Sequence, residues 1–226
     1  VWIGPNFQSI KLMANKSQAR EIALKSGVKC LEAETGIDPK SKDDLIRAHN
    51  FCSKQHGSIL IKAAAGGGGK GMRIVRSHSQ IEDALIRASS EALASFGNGE
   101  LIIEPYIEQA RHIEIQIFGD NNYEVHCFGE RDCSTQRRHQ KIVEETPCSA
   151  ISESQRIKLQ KAAIKISKAV KYISCGTVEF LVPFEQQDEN DFYFLEMNTR
   201  LQVEHPVTEQ VWGVDLVSKQ ILTAYG

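Results

Sequence analysis

The stretch Ser58-Ile59-Leu60-Ile61-Lys62-Ala63-Ala64-Ala65-Gly66-Gly67-Gly68-Gly69-Lys70-Gly71-Met72-Arg73-Ile74-Val75 sets a glycine run between two short β-patterns. It formally contains G-x-G-x-x-G, but a dinucleotide fingerprint needs a helix after the glycines, and here a second strand follows. A Walker A loop is excluded because Gly71 stands where the Gly-Lys pair should be followed by Ser or Thr. What remains is a strand–loop–strand flap. Its glycine positions Gly66, Gly67, Gly68, Gly69 and Gly71 bare the backbone N–H groups for a polyphosphate, and Lys70 adds positive charge. Each glycine costs roughly 0.5–1 kcal/mol of backbone entropy relative to alanine, so close approach of the backbone to a ligand explains the run better than a plain turn does. Lys62, on the strand before the run, is placed to reach a phosphate from below.

Outward from this flap, apolar residues recur at helical spacing over 10–26 and 42–56, and the runs stop at Gly27 and Gly57. A helix is predicted around 80–95, then strands at 101–104, 112–118, 123–130 and 141–144. Ser152 caps a long helix over 153–171. Strands at 177–182 and 192–198 form a hairpin over the polar turn 184–191, and a last helix covers 214–224. This is an α+β chain of two lobes, divided near Ala63 and again near Glu104. No internal repeat is present.

The 226 residues are 41% hydrophobic and 25% charged, enough to bury a sizeable core, and the formal charge of −2 supplies no global field for nucleic acid or an anionic membrane. Six cysteines occur without any C-x-x-C pair, which suits a reducing compartment. No apolar run is long enough to cross a bilayer, and no signal peptide is recognisable. A cytoplasmic protein is expected, or one of the mitochondrial matrix or a plastid if the source is eukaryotic. The opening Val and a final helical pattern that runs to Gly226 read as part of a longer polypeptide.

The period of two along His112-Ile113-Glu114-Ile115-Gln116-Ile117 sets three polar residues on one strand face and three isoleucines on the other. Between 196 and 204, Glu196, Asn198, Arg200, Gln202 and Glu204 alternate with Met197, Thr199, Leu201 and Val203, so an extended chain lines one side with hydrogen-bonding groups. Glu179 lies on the strand that pairs with this one. Two carboxylates ~4 Å apart repel by about 4 kcal/mol at an effective dielectric of ~20. A divalent cation resolves that conflict, and the oxygen donors Glu179, Glu196 and Asn198 point to Mg²⁺ or Mn²⁺. Arg131, Arg137, Arg138 and Lys141 concentrate in the segment 130–141 and predict a small anion. Nucleic acid is a poor fit, because no aromatics interleave with these cations.

The motifs GGGGKGM (66–72), RHIEIQ (111–116), ERDCSTQRRHQK (130–141) and EMNTRLQVEHPVTE (196–209) together resemble the biotin carboxylase family, the ATP-grasp component of acetyl-CoA, propionyl-CoA and pyruvate carboxylases. The similarity runs from end to end and covers about half of a complete biotin carboxylase. It implies an ATP-grasp fold of two α+β lobes with a glycine-rich β-loop-β lid. Residues 1–62 correspond to the end of an N-terminal subdomain, linker helices and the first lid-strand region. Residues 63–104 form the lid and 105–226 the C-terminal lobe with the metal and bicarbonate site, the whole continuing beyond both ends.

By the same resemblance, Lys16 and Lys62 contact phosphate, Glu104 and Ile107 form the adenine hinge, and His112, Gln136 and His139 contact the nucleotide. Glu179, Glu196 and Asn198 bind the metal. Lys141, Arg200, Gln202, Val203 and Glu204 form the bicarbonate pocket, with Glu204 as general base and Arg200 orienting the anion. The activity implied is ATP-dependent activation of bicarbonate to carboxyphosphate and carboxylation of biotin, with a biotin carboxyl carrier protein or domain and a carboxyltransferase as partners and a homo-oligomer as the full-length form. Pro105 and Trp212 depart from the family pattern. The family's biotin-side arginine lies outside 1–226, so an incomplete enzyme is expected. Two rivals stay open: an ATP-grasp ligase with a different acceptor, and a catalytically silent nucleotide-binding or scaffold domain.

Overall fold

The structure is a computed structural model and describes residues 1–66, 71–137, 139–186 and 188–226. Two antiparallel sheets organise the chain. The smaller has the order β1-β4-β2-β3, built from β1 (Glu34–Ile37), β2 (Ile59–Ala63), β3 (Arg73–Val75) and β4 (Leu101–Pro105). The larger has the order β7-β6-β5-β8-β9, from β5 (Ala110–Gly119), β6 (Val125–Arg137), β7 (Gln140–Glu145), β8 (Ser174–Pro183) and β9 (Tyr193–Asn198). Residues 106–109 join them, and the Tyr106 N–H donates to the Ser58 carbonyl, 2.8 Å, which holds this connection against the start of β2.

Each sheet buries the apolar face that its period of two dictates. Ile113, Ile115 and Ile117 of β5 are fully buried against α5 (Glu153–Ala169) and its neighbours, where Leu159, Ala163 and Ile166 supply the opposing helical stripe. In the small lobe, Ile59, Ile61, Leu101 and Ile103 pack on α3 (Lys42–Lys54) and α4 (Ile81–Phe96). Ser152 caps α5 by accepting from the Gln155 N–H at 3.1 Å. Ser152→Ala is therefore expected to cost about 1 kcal/mol, read as a lower denaturant midpoint at unchanged slope.

Four expectations change. The helical run over 10–26 is two helices, α1 (Phe7–Ala14) and α2 (Lys16–Lys25), because Asn15 leaves helical geometry, caps α2 through the Gln18 N–H and bridges to Ala65. Strand β6 continues through the basic segment to Arg137 rather than stopping at Glu130. The alternation from Glu196 to Glu204 is not one strand: β9 ends at Asn198, and Glu204 is the N-cap of α6 (His205–Trp212), a helix the periodicity did not announce. β1 also escapes sequence reading, being four residues long with Gly36 at φ 70°. The last helix, α7, spans Leu216–Tyr225.

The division expected at 62/63 falls inside β2, and β1 and β2 share one sheet with β3 and β4, so the small sheet draws on residues 34–105. Trp212 stacks edge-on against Phe128 at 6.1 Å and lies over Gly129, where a Cβ would meet its indole at 2.8 Å. Gly129 gives the larger ring its space. No helix among the described residues is long and apolar enough to cross a membrane.

Candidate active site

Register across the large sheet determines the site. Arg131 on β6 pairs with Glu114 on β5, Glu114 with Glu179 on β8, and Glu179 with Glu196 on β9. One transverse row thus carries three carboxylates on adjacent strands, an arrangement that is repulsive unless cations intervene. Arg131 closes one end of the row. Lys141, from β7, lies over its middle: its ammonium donates to Glu114, to Glu179 at 3.0 Å and to Glu204 at 2.8 Å. Lys16, the first residue of α2, holds the far end, donating to Glu196 at 2.5 Å and to the Gly66 carbonyl at 2.9 Å.

The break at Asn15 therefore has a use, because it turns Lys16 toward the entrance of the glycine run and the acidic row together. Leu195 is an extra residue on β9, between the pairs Glu179↔Glu196 and Phe180↔Phe194, and this bulge presents both Leu195 and Glu196 to the cleft.

Glu179 is 3% exposed and accepts four hydrogen bonds, from His112 Nε2 (2.6 Å), Lys141, Asn198 Nδ2 (2.7 Å) and Gln202 Nε2 (3.3 Å). Burial pushes its carboxyl up, but the His112 hydrogen bond and the Lys141 charge outweigh burial and hold it well below the usual carboxylate range. Burial likewise lowers His112, yet its bond to Glu179 leaves the imidazole raised overall. Gln136 Nε2 meets His112 Nδ1 at 2.8 Å, so His112 is fixed from both sides. Lys141 is raised by its carboxylate partners against the opposing effect of burial. Burial also opposes ionisation of Glu204, but its bond to Lys141 keeps it below the ordinary range.

A cavity of ≈ 830 Å³ between the two sheets brings most of these groups together. Lys16, Lys62, Gly66, Glu104, Ile107, His112, Gln136 and His139 line it, as do Lys141, Glu179, Glu196, Asn198, Arg200, Gln202, Val203 and Glu204. Gly67, Gly68, Gly69, Lys70 and Arg138 lie outside the described residues. Gly71 is not among the lining residues; it is buried at φ 70°, where a Cβ would stand 3.1 Å from Ala63 and 3.5 Å from Ala92. Lys62 donates to Glu104 at 2.7 Å, a pair almost wholly buried at the cavity floor. Val203 is 90% exposed at the cavity edge.

The basic segment does not act as one cluster. Arg131 is fully buried, Arg137 is exposed on the strand, and Lys141 alone of the described members lines the cavity. Strict alternation would set Arg131 and Arg137 on one face; the register shifts of β6 between Asp132 and Gln136 and the β6–β7 turn separate the three. Sequence reading set Glu114 on a polar strand face but gave it no place in the site. The apolar lining from Leu31, Leu60, Leu181 and Leu195 went unnoticed as well, since an isolated leucine beside polar neighbours carries no signal.

The fit to a divalent cation rests on the donor set. Glu179 and Glu196 are direct cross-strand partners, and the amide nitrogen of Asn198 is engaged by Glu179, which leaves its carbonyl oxygen for an ion. Two tighter groupings, His112/Glu114/Glu179 and Glu114/Cys133/Glu204, have ligand atoms within 4.8 Å of one another. The Lys141 ammonium already serves their carboxylates, and burial pushes the Cys133 thiol far up, so thiolate ligation is disfavoured there.

A family profile described as carbamoyl-phosphate synthase L chain, ATP binding domain, matches residues 15–226. Over 225 residues the chain is 45% identical to a biotin carboxylase of Nostoc sp., covering 100% of this chain and 48% of that protein. It is also 45% identical to the mitochondrial methylcrotonoyl-CoA carboxylase subunit alpha of Mus musculus, covering 100% of this chain and 30% of that one. Among solved structures, the biotin carboxylase domain dimer of Hydrogenobacter thermophilus 2-oxoglutarate carboxylase, in complex with MgADP, ADP and bicarbonate, superposes with a TM-score of 0.90 at 41% identity, over 99% of this chain and 48% of that chain. The chain thus spans about half or less of the proteins it matches.

Proposed function

Because the chain belongs to the carbamoyl-phosphate synthase L chain ATP-binding domain family, with the two-lobed ATP-grasp fold of the biotin carboxylase domains it resembles, we propose that it is the nucleotide- and bicarbonate-handling part of a biotin carboxylase. The observation that carries this reading is the transverse row Arg131–Glu114–Glu179–Glu196, with a lysine over its middle and another at its end, opening into a cavity that Gly66 and Met72 also line. The leucine-lined part of that cavity suits a planar heteroaromatic ring, with Glu104 and Ile107 at the hinge beside it. Lys16, Lys62 and Gly66, with Gly67, Gly68 and Gly69, take the phosphates, Gly71 seats the end of the run against Ala63 and Ala92, and His112, Gln136 and His139 complete the nucleotide wall.

Glu179, Glu196 and Asn198 hold the cation, magnesium or manganese. Once bound, the ion neutralises polyphosphate charge. Bicarbonate binds by Lys141, Arg200, Gln202, Val203 and Glu204. A bicarbonate oxygen attacks the γ-phosphorus, the bond to ADP breaks, and carboxyphosphate results; Glu204 accepts the proton that bicarbonate gives up. Catalysis here is mainly positioning and charge neutralisation. Carboxyphosphate then breaks its carbon–oxygen bond to give CO₂ and phosphate, the phosphate takes the N1′ proton of biotin on a carrier protein or domain, and that nitrogen bonds the CO₂; the carboxyl group is later moved to an acceptor at a carboxyltransferase. A homo-oligomer in the cytoplasm or an organellar matrix is the setting we infer, with the boundaries 1–62, 63–104 and 105–226 as functional rather than sheet divisions.

The test uses the full-length protein: ATP cleavage is expected to require bicarbonate and to rise with free biotin. Stimulation by ammonia or an amino acid instead transfers the chain to another ATP-grasp ligase. Absence of any ATP cleavage by the full-length protein supports the silent-scaffold reading.

A further inference from the structure

Resting on the biotin carboxylase reading, we propose that Arg131 is the positioning residue of the bicarbonate pocket: one buried guanidinium fixes the orientation of Gln202, the place of Lys141 and the seat of the helix that begins at Glu204. Arg131 is fully buried and touches none of the cavity. A guanidinium has five N–H donors in a rigid fork, and here each has an acceptor. Nε donates to Glu114; one terminal nitrogen to Gln116 Oε1 (2.7 Å) and Thr208 Oγ1 (2.9 Å); the other to Thr177 Oγ1 (3.3 Å) and Gln202 Oε1 (3.2 Å). Four separate elements and the 199–204 loop therefore meet at one side chain.

Three consequences follow for the pocket. First, the Gln202 carbonyl oxygen is engaged by Arg131, so its NH₂ must face the other way, where it donates to Glu179 at 3.3 Å. Gln202 thereby offers a donor, not an acceptor, to an anion in the cavity. With the amide reversed, oxygen would face both Glu179 and the anion. Second, one oxygen of Glu114 goes to Arg131 and the other to Lys141, so the ammonium over the carboxylate row is located through Arg131. Third, Thr208 lies one turn into α6, and its bond to Arg131 anchors the helix whose N-cap is Glu204. A residue that only filled space would serve none of these directions. Lysine in its place keeps a charge beside Glu114 but has three donors and no planar fork, so it cannot serve Gln202 and Thr208 together.

Arg131→Lys and the milder Thr208→Val are tested in the full-length protein by steady-state bicarbonate-dependent ATP cleavage, with the wild type in parallel. If the wild type shows no bicarbonate-dependent cleavage, the biotin carboxylase reading fails before Arg131 is in question. Given that activity, Arg131→Lys is expected to raise the KM for bicarbonate by about ten- to a hundredfold and Thr208→Val by about threefold, with the KM for ATP within about twofold of wild type in both. Equal rises in both KM values, or an unchanged bicarbonate KM in a variant with a wild-type melting temperature, overturns the proposal. Should Arg131→Lys not fold, Thr208→Val alone decides by the same split. Gln202→Glu supplies an independent arm. It keeps an acceptor for Arg131 and removes the donor, so it is expected to raise the bicarbonate KM at least as much as Arg131→Lys, and a wild-type value overturns the assigned amide orientation.

Discussion

Glu204→Gln in the full-length enzyme is expected to lower bicarbonate-dependent ATP cleavage by about 10²–10⁴-fold while MgATP binding changes by less than about threefold. The asymmetry follows from where Glu204 stands. It caps α6 with its backbone, and its side chain makes no capping bond, so glutamine preserves the helix start. Its carboxylate meets Lys141 at 2.8 Å, whereas Lys16 pairs with Glu196 and the Gly66 carbonyl and Lys62 with Glu104 at the proposed phosphate site. The sign of its ionisation also fits a base. Burial raises its pKa, but the hydrogen bond and charge of Lys141, a backbone hydrogen bond and the Arg131 charge together outweigh burial and hold it below the ordinary carboxylate range, so the proton-accepting form is populated at neutral pH. A bicarbonate that draws Lys141 toward itself loosens that pair and makes the carboxylate a stronger acceptor at the moment it is needed. Turnover by Glu204→Gln equal to wild type removes this residue from the mechanism; a matching loss of MgATP affinity makes its role structural.

The second large effect concerns stability and is independent of any catalytic reading. Gly119→Ala is expected to destabilise the protein by about 3 kcal/mol, a fall in Tm of roughly 6–12 °C. A Cβ at Gly119 would stand 2.0 Å from the Tyr172 carbonyl oxygen, a backbone atom in the tight passage from α5 into β8, where Lys171 and Ser174 already hold positive φ. Neither side can give way easily. A Cβ at Gly176 would meet the hydroxyl of the same tyrosine at 2.5 Å and its ring at 2.7 Å, and Tyr172 is fully buried with its hydroxyl donating to the Cys175 carbonyl, 2.8 Å, so Gly176→Ala is also destabilising. Its loss is expected to be about 2 kcal/mol, since a side chain shifts more readily than backbone. Gly57→Ala, with nothing within 4 Å and no positive φ, is the control and is expected to stay within about 0.5 kcal/mol of wild type. Thermal or denaturant unfolding of the three variants side by side reads the series, and a Gly119→Ala protein as stable as Gly57→Ala contradicts the close packing of this corner.

Much of this architecture was legible in the chain because side-chain period is a local property. Ile113, Ile115 and Ile117 alternate with His112, Glu114 and Gln116, and the structure buries the first set and turns the second toward the cleft and the network beneath it. The hairpin over 184–191 aligned Glu179 with Glu196 as the sequence indicated, since a short connection leaves two antiparallel strands little choice of partner. The helix over 10–26 was misread for the converse reason. Asn15 interrupts a good apolar period, and only its bridge to Ala65, half a lobe away in sequence, shows why the interruption holds. The run from Glu196 to Glu204 likewise kept a period of two past the end of β9, where the chain had already turned toward α6.

By itself the sequence determined which residues carry polar chemistry and which face of each strand they share, because burial follows the local alternation of apolar and polar groups. Which carboxylates become neighbours, and which cation answers each, only the tertiary structure decided. Arg131, Arg137 and Lys141 are close in the chain, yet one is sealed in the interior as a hub, one faces solvent and one spans three glutamates. That difference arises from strand register and from the shifts in the β6–β7 pairing between Asp132 and Gln136, and register is set by long-range pairing that no local pattern encodes.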